Sequence, residues 1–306
     1  MRRALLHWTL VFALLAAGFG AAVLALSNDL YSAHGFVRSY LEALQRHDAD
    51  DALGFDGVEG AGPVVTDATV GGFDGIRLVS DVEVEGTHTV RFAYTVDGSE
   101  QITQFSVERT GTRLGLFATW RFAVSPVATL AVSVDHDSRF AINGTDAVAG
   151  PQQLLVPSAV TLTHATTYLE ALPVSVALTE VGSTVDAAID VAPTDAFAPA
   201  AADAIKLFLD DCATQTVLKP TGCPFGTDVA NRVDSEPVWL IVEYPAVALN
   251  PAGLAWQSED GAVAHITVEV KSLFDGTLST LDKDVPFTAV YTLTIGADDS
   301  LTVTSA

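Results

Sequence analysis

Ala4 to Leu26 is a run of 23 residues without Asp, Glu, Lys or Arg, directly behind Arg2 and Arg3. As a helix rising about 1.5 Å per residue it would reach roughly 34 Å, and a bilayer's hydrocarbon core is about 30 Å thick. The run therefore predicts a transmembrane anchor, with everything after it on one side of a membrane. The arginines ahead of it and the acidic chain behind it predict a cytoplasmic N-terminus and an extracytoplasmic body, by the positive-inside rule. Trp8 sits where an interfacial aromatic would. The alternative is a cleaved secretory signal ending near Val23-Leu24-Ala25, which would leave a secreted body. Length favours a retained anchor, because a signal core is usually about 7 to 15 apolar residues. No Cys lies near the start, which excludes a lipoprotein.

Charge narrows the partners. The chain has 306 residues, with 15 Lys plus Arg against 38 Asp plus Glu, a formal net charge of −23. Such a surface repels phosphate backbones, and no basic stripe interrupts it, so nucleic acid is excluded as a partner. A hydrophobic content of 49% predicts a folded body, and its length predicts more than one core. The only two cysteines, Cys212 and Cys223, bracket the turn-rich Lys219-Pro220-Thr221-Gly222. In an oxidising compartment such a pair reads as a disulfide. Zinc would need two more ligands, and no His lies between His164 and His265 to supply them locally. No metal or other cofactor is expected.

Hydrophobic periodicity divides the body. Tyr31 to Leu53 reads as helix, with Phe36, Val37, Tyr40, Leu41 and Leu44 on one face and a polar step at His47-Asp48-Ala49-Asp50-Asp51 that starts a second short helix. After Gly71-Gly72 the period becomes two. Ile76 to Val84, Thr89 to Val96, Ile102 to Val107 and Leu114 to Phe122 read as strands. Beyond Pro126 come short strands, with a type I′ hairpin at Asn143-Gly144. Asn143-Gly144-Thr145 also fits a glycosylation acceptor, which the turn makes unnecessary. After Pro193, Ala200 to Ala213 reads as helix, followed by strands at Val238 to Tyr244, Ala262 to Val270, Val285 to Ile295 and Leu301 to Thr304.

The run from Phe36 to Leu44 followed by Asp48 to Leu53, with the closing Gly115-Leu116-Phe117-Ala118-Thr119-Trp120-Arg121-Phe122, resembles the opening helices and final Trp-bearing strand of NTF2-like (cystatin-like cone) domains. The resemblance implies a helix covering an antiparallel sheet. Some members of that fold are enzymes with an Asp/His or Tyr/Asp site in the cone, and many only bind partners or ligands. The middle segment is similar to the small β spacers of bacterial surface proteins. The whole layout resembles envelope proteins of the teicoplanin-resistance-associated type, without their cytoplasmic zinc ribbon. The expected fold class is thus α+β and all-β modules behind one transmembrane helix: a cytoplasmic tip at 1–3, an anchor at 4–26, an NTF2-like domain at 27–125, a small β domain at 126–193 and a C-terminal α+β domain with the disulfide at 194–306.

Few residues suggest chemistry. His47, Asp48 and Tyr40 could converge in a cone pocket, although a solvated helix end explains the first two. Asp74 and Asp81 flank the first strand. Asp135-His136-Asp137 and Asp282-Lys283-Asp284 offer too few oxygens for calcium and read as turns. Trp239 and Trp256 read as core aromatics. No Gly-x-Ser-x-Gly, Ser-x-x-Lys, His-Glu-x-x-His or phosphate-binding glycine loop occurs. The expected function is a membrane-anchored, non-catalytic envelope protein that binds a partner protein, a wall polymer or a small ligand. The alternatives are an extracytoplasmic enzyme with its site in the cone, and a spacer or assembly factor of a membrane complex.

Overall fold

The computed structural model describes Phe12, Leu14–Gly18 and Asp29–Ser305. Strands account for 49% of the described residues and helices for 15%. This corrects the expected fold class: the protein is mainly β, and no helix among the described residues is long and apolar enough to cross a membrane. Phe12 and Leu14–Gly18 are helical. The rest of the anchor expected at Ala4 to Leu26 lies outside the described residues. The longest helix among the described residues, Phe197–Ala213, carries Asp203, Lys206, Asp210 and Asp211 and is amphipathic rather than apolar throughout.

The chain forms two compact units. The first takes in residues up to Ser133, Arg139–Thr163 and Pro173–Ala188; the second takes in Val134–Ser138, His164–Leu172 and Ile189–Ala306.

The first unit begins with α1 (Ala33–Gln45) and α2 (Ala49–Leu53). Ser32 caps α1 by accepting the Gly35 N–H at 3.0 Å, and Asp48 caps α2 through the Asp51 N–H. His47, at φ 56°, makes the step between the two helices. β1 (Asp74–Val84), β2 (Thr87–Val96), β3 (Ser99–Arg113) and β4 (Phe117–Phe122) then form an antiparallel meander in that order. Val37, Tyr40, Leu41 and Leu44 of α1 pack on Val90, Phe92, Phe105, Val107 and Phe122 of the sheet. Alternation along β2 decides which side chains face the helix: Val90, Phe92, Tyr94 and Val96 are all buried.

β5 (Val127–Val134), β6 (Arg139–Ile142), β7 (Thr145–Val148), β8 (Gly150–Leu155), β9 (Ser158–Thr163), β11 (Val174–Leu178) and β12 (Thr184–Ile189) form two small sheets, ordered β11-β9-β6-β7 and β12-β5-β8. Asn143 and Gly144 turn β6 into β7 with φ of 47° and 82°, the positive values that a type I′ turn requires. The Asn143 side chain also accepts the Thr161 N–H and donates to Ala68 O, both at 2.7 Å.

In the second unit β10 (Leu169–Glu170) pairs with β13 (Ala192–Pro193). The helix Phe197–Ala213, α3, packs on the inner face of a sheet built on two long strands, β17 (Ala255–Lys271) and β18 (Leu278–Ile295). β14 (Arg232–Val233), β15 (Val238–Glu243) and β16 (Asn250–Ala252) pair in turn along one side of β17, and β19 (Leu301–Ser305) pairs with the end of β18. Trp239 and Trp256 lie in this core, each 4% exposed. Cys212 at the end of α3 is bonded to Cys223, with their Cα atoms 5.8 Å apart.

Candidate functional site

The inner face of the first sheet changes character along its length. Where α1 covers it, β2 presents Val90, Phe92 and Tyr94; two residues before Val90 the same alternation presents His88. Register extends this polar row. Glu83 lies opposite His88 and Asp81 opposite Val90 on β1, while Arg109 of β3 lies opposite Trp120 of β4. Cross-strand partners share a face, so Asp81, Glu83 and His88 belong to the side that α1 covers. His34, in the first turn of α1, completes the group.

Asp81 joins the two histidines. His34 Nδ1 donates to one carboxylate oxygen at 3.0 Å, and His88 Nδ1 to the other at 2.7 Å. His88 Nε2 lies 3.6 Å from Glu83. The three central side chains are about one-fifth exposed. Burial works to raise the Asp81 carboxyl pKa, but the hydrogen bonds and charge of His88 and His34 outweigh it and hold the group below its ordinary value. Trp120 meets His88 edge to face, with ring centres 4.9 Å apart, and its Nε1 donates to Tyr31 O at 2.8 Å. Tyr31 stacks on Phe117 at 4.3 Å. Tyr31, His34, Asp81, His88 and Trp120, with Arg109 and Leu116, line an open cleft of about 390 Å³.

The arrangement can do two things. An imidazole whose Nδ1–H is held by a carboxylate presents its other nitrogen in a fixed tautomer, as hydrogen-bond acceptor or base. The aromatic walls offer apolar faces beside charged hydrogen-bonding groups. No group of three or more His, Cys, Asp or Glu among the described residues could hold a metal ion.

The residues singled out from the sequence are mostly placed elsewhere. Tyr40 is fully buried, its hydroxyl donating to Val156 O at 2.9 Å, and burial pushes its pKa well above the ordinary value. His47 Nδ1 bonds Val70 O at 2.7 Å, and Asp48 is a helix cap. These three do not form a pocket. Asp74 opens β1, whereas Asp81 lies within it at the centre of the cleft group. His136 sits in a bend with Nδ1 on Gly253 O at 2.6 Å, its ring 5.0 Å from that of Trp256. Asp282-Lys283-Asp284 is no turn: all three lie inside β18, where His265 of β17 bonds Asp284 at 2.8 Å and lies 3.3 Å from Asp282. Sequence reasoning missed His34 and His88. The signal for His88 was its place two residues ahead of Val90 in a strand whose even positions are all core-facing.

No family profile, curated protein or solved structure matches the chain.

Proposed function

We propose that this protein works outside the cytoplasm as a binding protein, and that its first unit, an NTF2-like module, holds a wall glycan in the cleft between Tyr31, His34 and Trp120. The observation that carries this reading is the pairing of half-buried aromatic walls with the Asp81-bridged histidines and Arg109 in one open cleft. Sugar rings present apolar faces and hydroxyl-bearing edges, and such a lining addresses both. The space between α1 and the sheet, where the resemblance would put a cone pocket, holds Tyr40, Phe105 and Phe122 in mutual ring contact, with Phe92 in the same core. The Cys212–Cys223 bond supports export, because structural disulfides persist in oxidising compartments. The test is co-sedimentation of the full chain with purified cell-wall polymer at moderate salt. Pelleting that is lost in Trp120→Ala supports the reading; protein that stays in the supernatant opposes it.

The contact between His34 Nδ1 and Asp81 favours a second reading, an enzyme in which His34 serves as general base. Mass spectrometry of wall fragments after incubation separates the two. Fragments recovered intact support binding alone; cleavage that disappears in His34→Gln supports catalysis.

A further inference from the structure

The sheet of the second unit has two edges of different chemistry. Among the described residues β18 has no strand beyond it from Leu278 to Val290, since β19 pairs with Tyr291 to Ile295. That edge carries Asp282, Lys283, Asp284 and Pro286, the charges and proline by which sheet edges resist further pairing. β15 is the contrasting edge. Among the described strands it pairs with β17 alone, and Val238 to Val242 contains neither charge nor proline. Pro237 and Pro245 bound it on both sides.

The side chains of β15 reinforce the contrast. Trp239 and Ile241 point into the core, 4% and 6% exposed, while Val238 and Leu240 on the outer face are each 63% exposed. Val242, in the bulge between Ile241 and Glu243, is 56% exposed. An apolar row this open has nothing to gain in water, and from Val238 to Val242 it sits on an edge without charge or proline.

Charge selects the occupant. On the same outer face, Thr267 and Asp282 follow Val238 across the sheet, and His265 and Asp284 follow Leu240. At the end of β15 the edge opens into a groove of about 480 Å³ lined by Glu243, Val263, Pro286 and Phe287. The neighbourhood is therefore apolar at the edge and acidic behind it. A second copy would bring the same acids and a formal charge of −23 against themselves.

We propose that β15 is a docking edge that takes an extended segment of a basic polypeptide partner as an added antiparallel or parallel strand. Backbone hydrogen bonds along β15 supply affinity, the apolar row seats alternate side chains, and Asp282, Asp284 and Glu243 select lysine or arginine. This inference is independent of the glycan reading, which concerns the other unit.

The probe is a ten-residue peptide with valine and lysine alternating at every second position and threonine between them, so that both fall on one face, titrated into the full-length protein by fluorescence anisotropy. The control is the same peptide with every backbone amide N-methylated, which keeps its charge and removes its donors from both strand edges. The expected result is saturable binding with amide-exchange protection on β15. It should weaken at least tenfold with the N-methylated peptide and with the exposed pair Val238→Lys/Leu240→Lys, and lose salt sensitivity in Asp282→Asn/Asp284→Asn. No binding, or equal binding of the N-methylated peptide, overturns the proposal. So does self-association in sedimentation that Val238→Lys/Leu240→Lys abolishes.

Discussion

His34 and His88 share the carboxylate of Asp81, one on each oxygen, at 3.0 and 2.7 Å. The three come from the first turn of a helix and from two adjacent strands, so the carboxylate ties the start of α1 to the sheet. Asp81→Asn keeps the shape but turns one acceptor into a donor facing an imidazole N–H. A hydrogen bond to a charged group is worth about 1.5–3 kcal/mol, and a loss of that size is expected. The folded pKa of Asp81 lies below its ordinary value of 3.8, so its stabilisation is present above that value and lost as pH falls through the folded one. Denaturant titrations should show the gap between wild type and Asp81→Asn persisting from neutral pH to about 4 and closing below. A gap unchanged at lower pH would mean that the carboxylate's charge is not what stabilises.

His265 shows the opposite sign. Its hydrogen bond to Asp284 is the main cause that raises its pKa above the ordinary 6.5, with the charges of Asp282 and Asp284 adding to it. Stability from this contact is full below 6.5 and lost as pH rises through the higher folded value. An NMR titration should place His265 above 6.5 in the wild type and return it towards 6.5 in Asp284→Asn.

Two tyrosine hydroxyls should behave differently on removal. Tyr40 is the donor to Val156 O, and Tyr40→Phe leaves that carbonyl short of a partner in a buried site, a loss of about 1–3 kcal/mol. The Tyr291 hydroxyl is buried with no hydrogen-bond partner among the described residues, and burial is the main cause pushing its pKa up to about 12. Tyr291→Phe removes a desolvated group that bonds nothing, so it should leave stability unchanged or raise it slightly. Equal losses from both substitutions would contradict this.

The bond between Cys212 and Cys223 closes a short loop, with a sequence separation of 11. On the chain-entropy account a loop of that size is worth about 3 kcal/mol. Adding reductant should lower the melting temperature, and Cys212→Ser/Cys223→Ser should then melt at that lower temperature with or without reductant. No change on reduction would show that the bond contributes nothing.

Gly57 sits at φ 85°, and a Cβ there would lie 2.3 Å from Phe122 O. Gly57→Ala should destabilise the first unit by more than the roughly 1 kcal/mol of an ordinary Gly substitution, because both backbone conformation and space forbid it. A calorimetric scan with an unshifted transition would contradict this.

What was legible in the sequence followed from periodicity. The helical face Val37, Tyr40, Leu41 and Leu44 is buried as its spacing predicts, and Asn143-Gly144 turns a hairpin because few residues tolerate two successive positive φ values. The pairing of Cys212 with Cys223 was legible because no other cysteine competes. The cleft was not. His34 and Asp81 are 47 residues apart, and only the register of β1 on β2 and the packing of α1 bring them together. Adjacency misled in the same way: His47 and Asp48 are neighbours in sequence, yet each is consumed by a local backbone role. Asp282 to Asp284 resembled a turn by composition, but pairing with the apolar-alternating β17 extends the strand through them.

The most direct test of the glycan-binding reading is a titration of the isotopically labelled protein with a soluble wall fragment, followed by NMR. The account predicts that the largest shifts fall on the Trp120 indole N–H and the rings of His34 and His88, and that Asp81→Asn weakens them at least tenfold. Shifts confined to the second unit, or none at millimolar fragment, would contradict it.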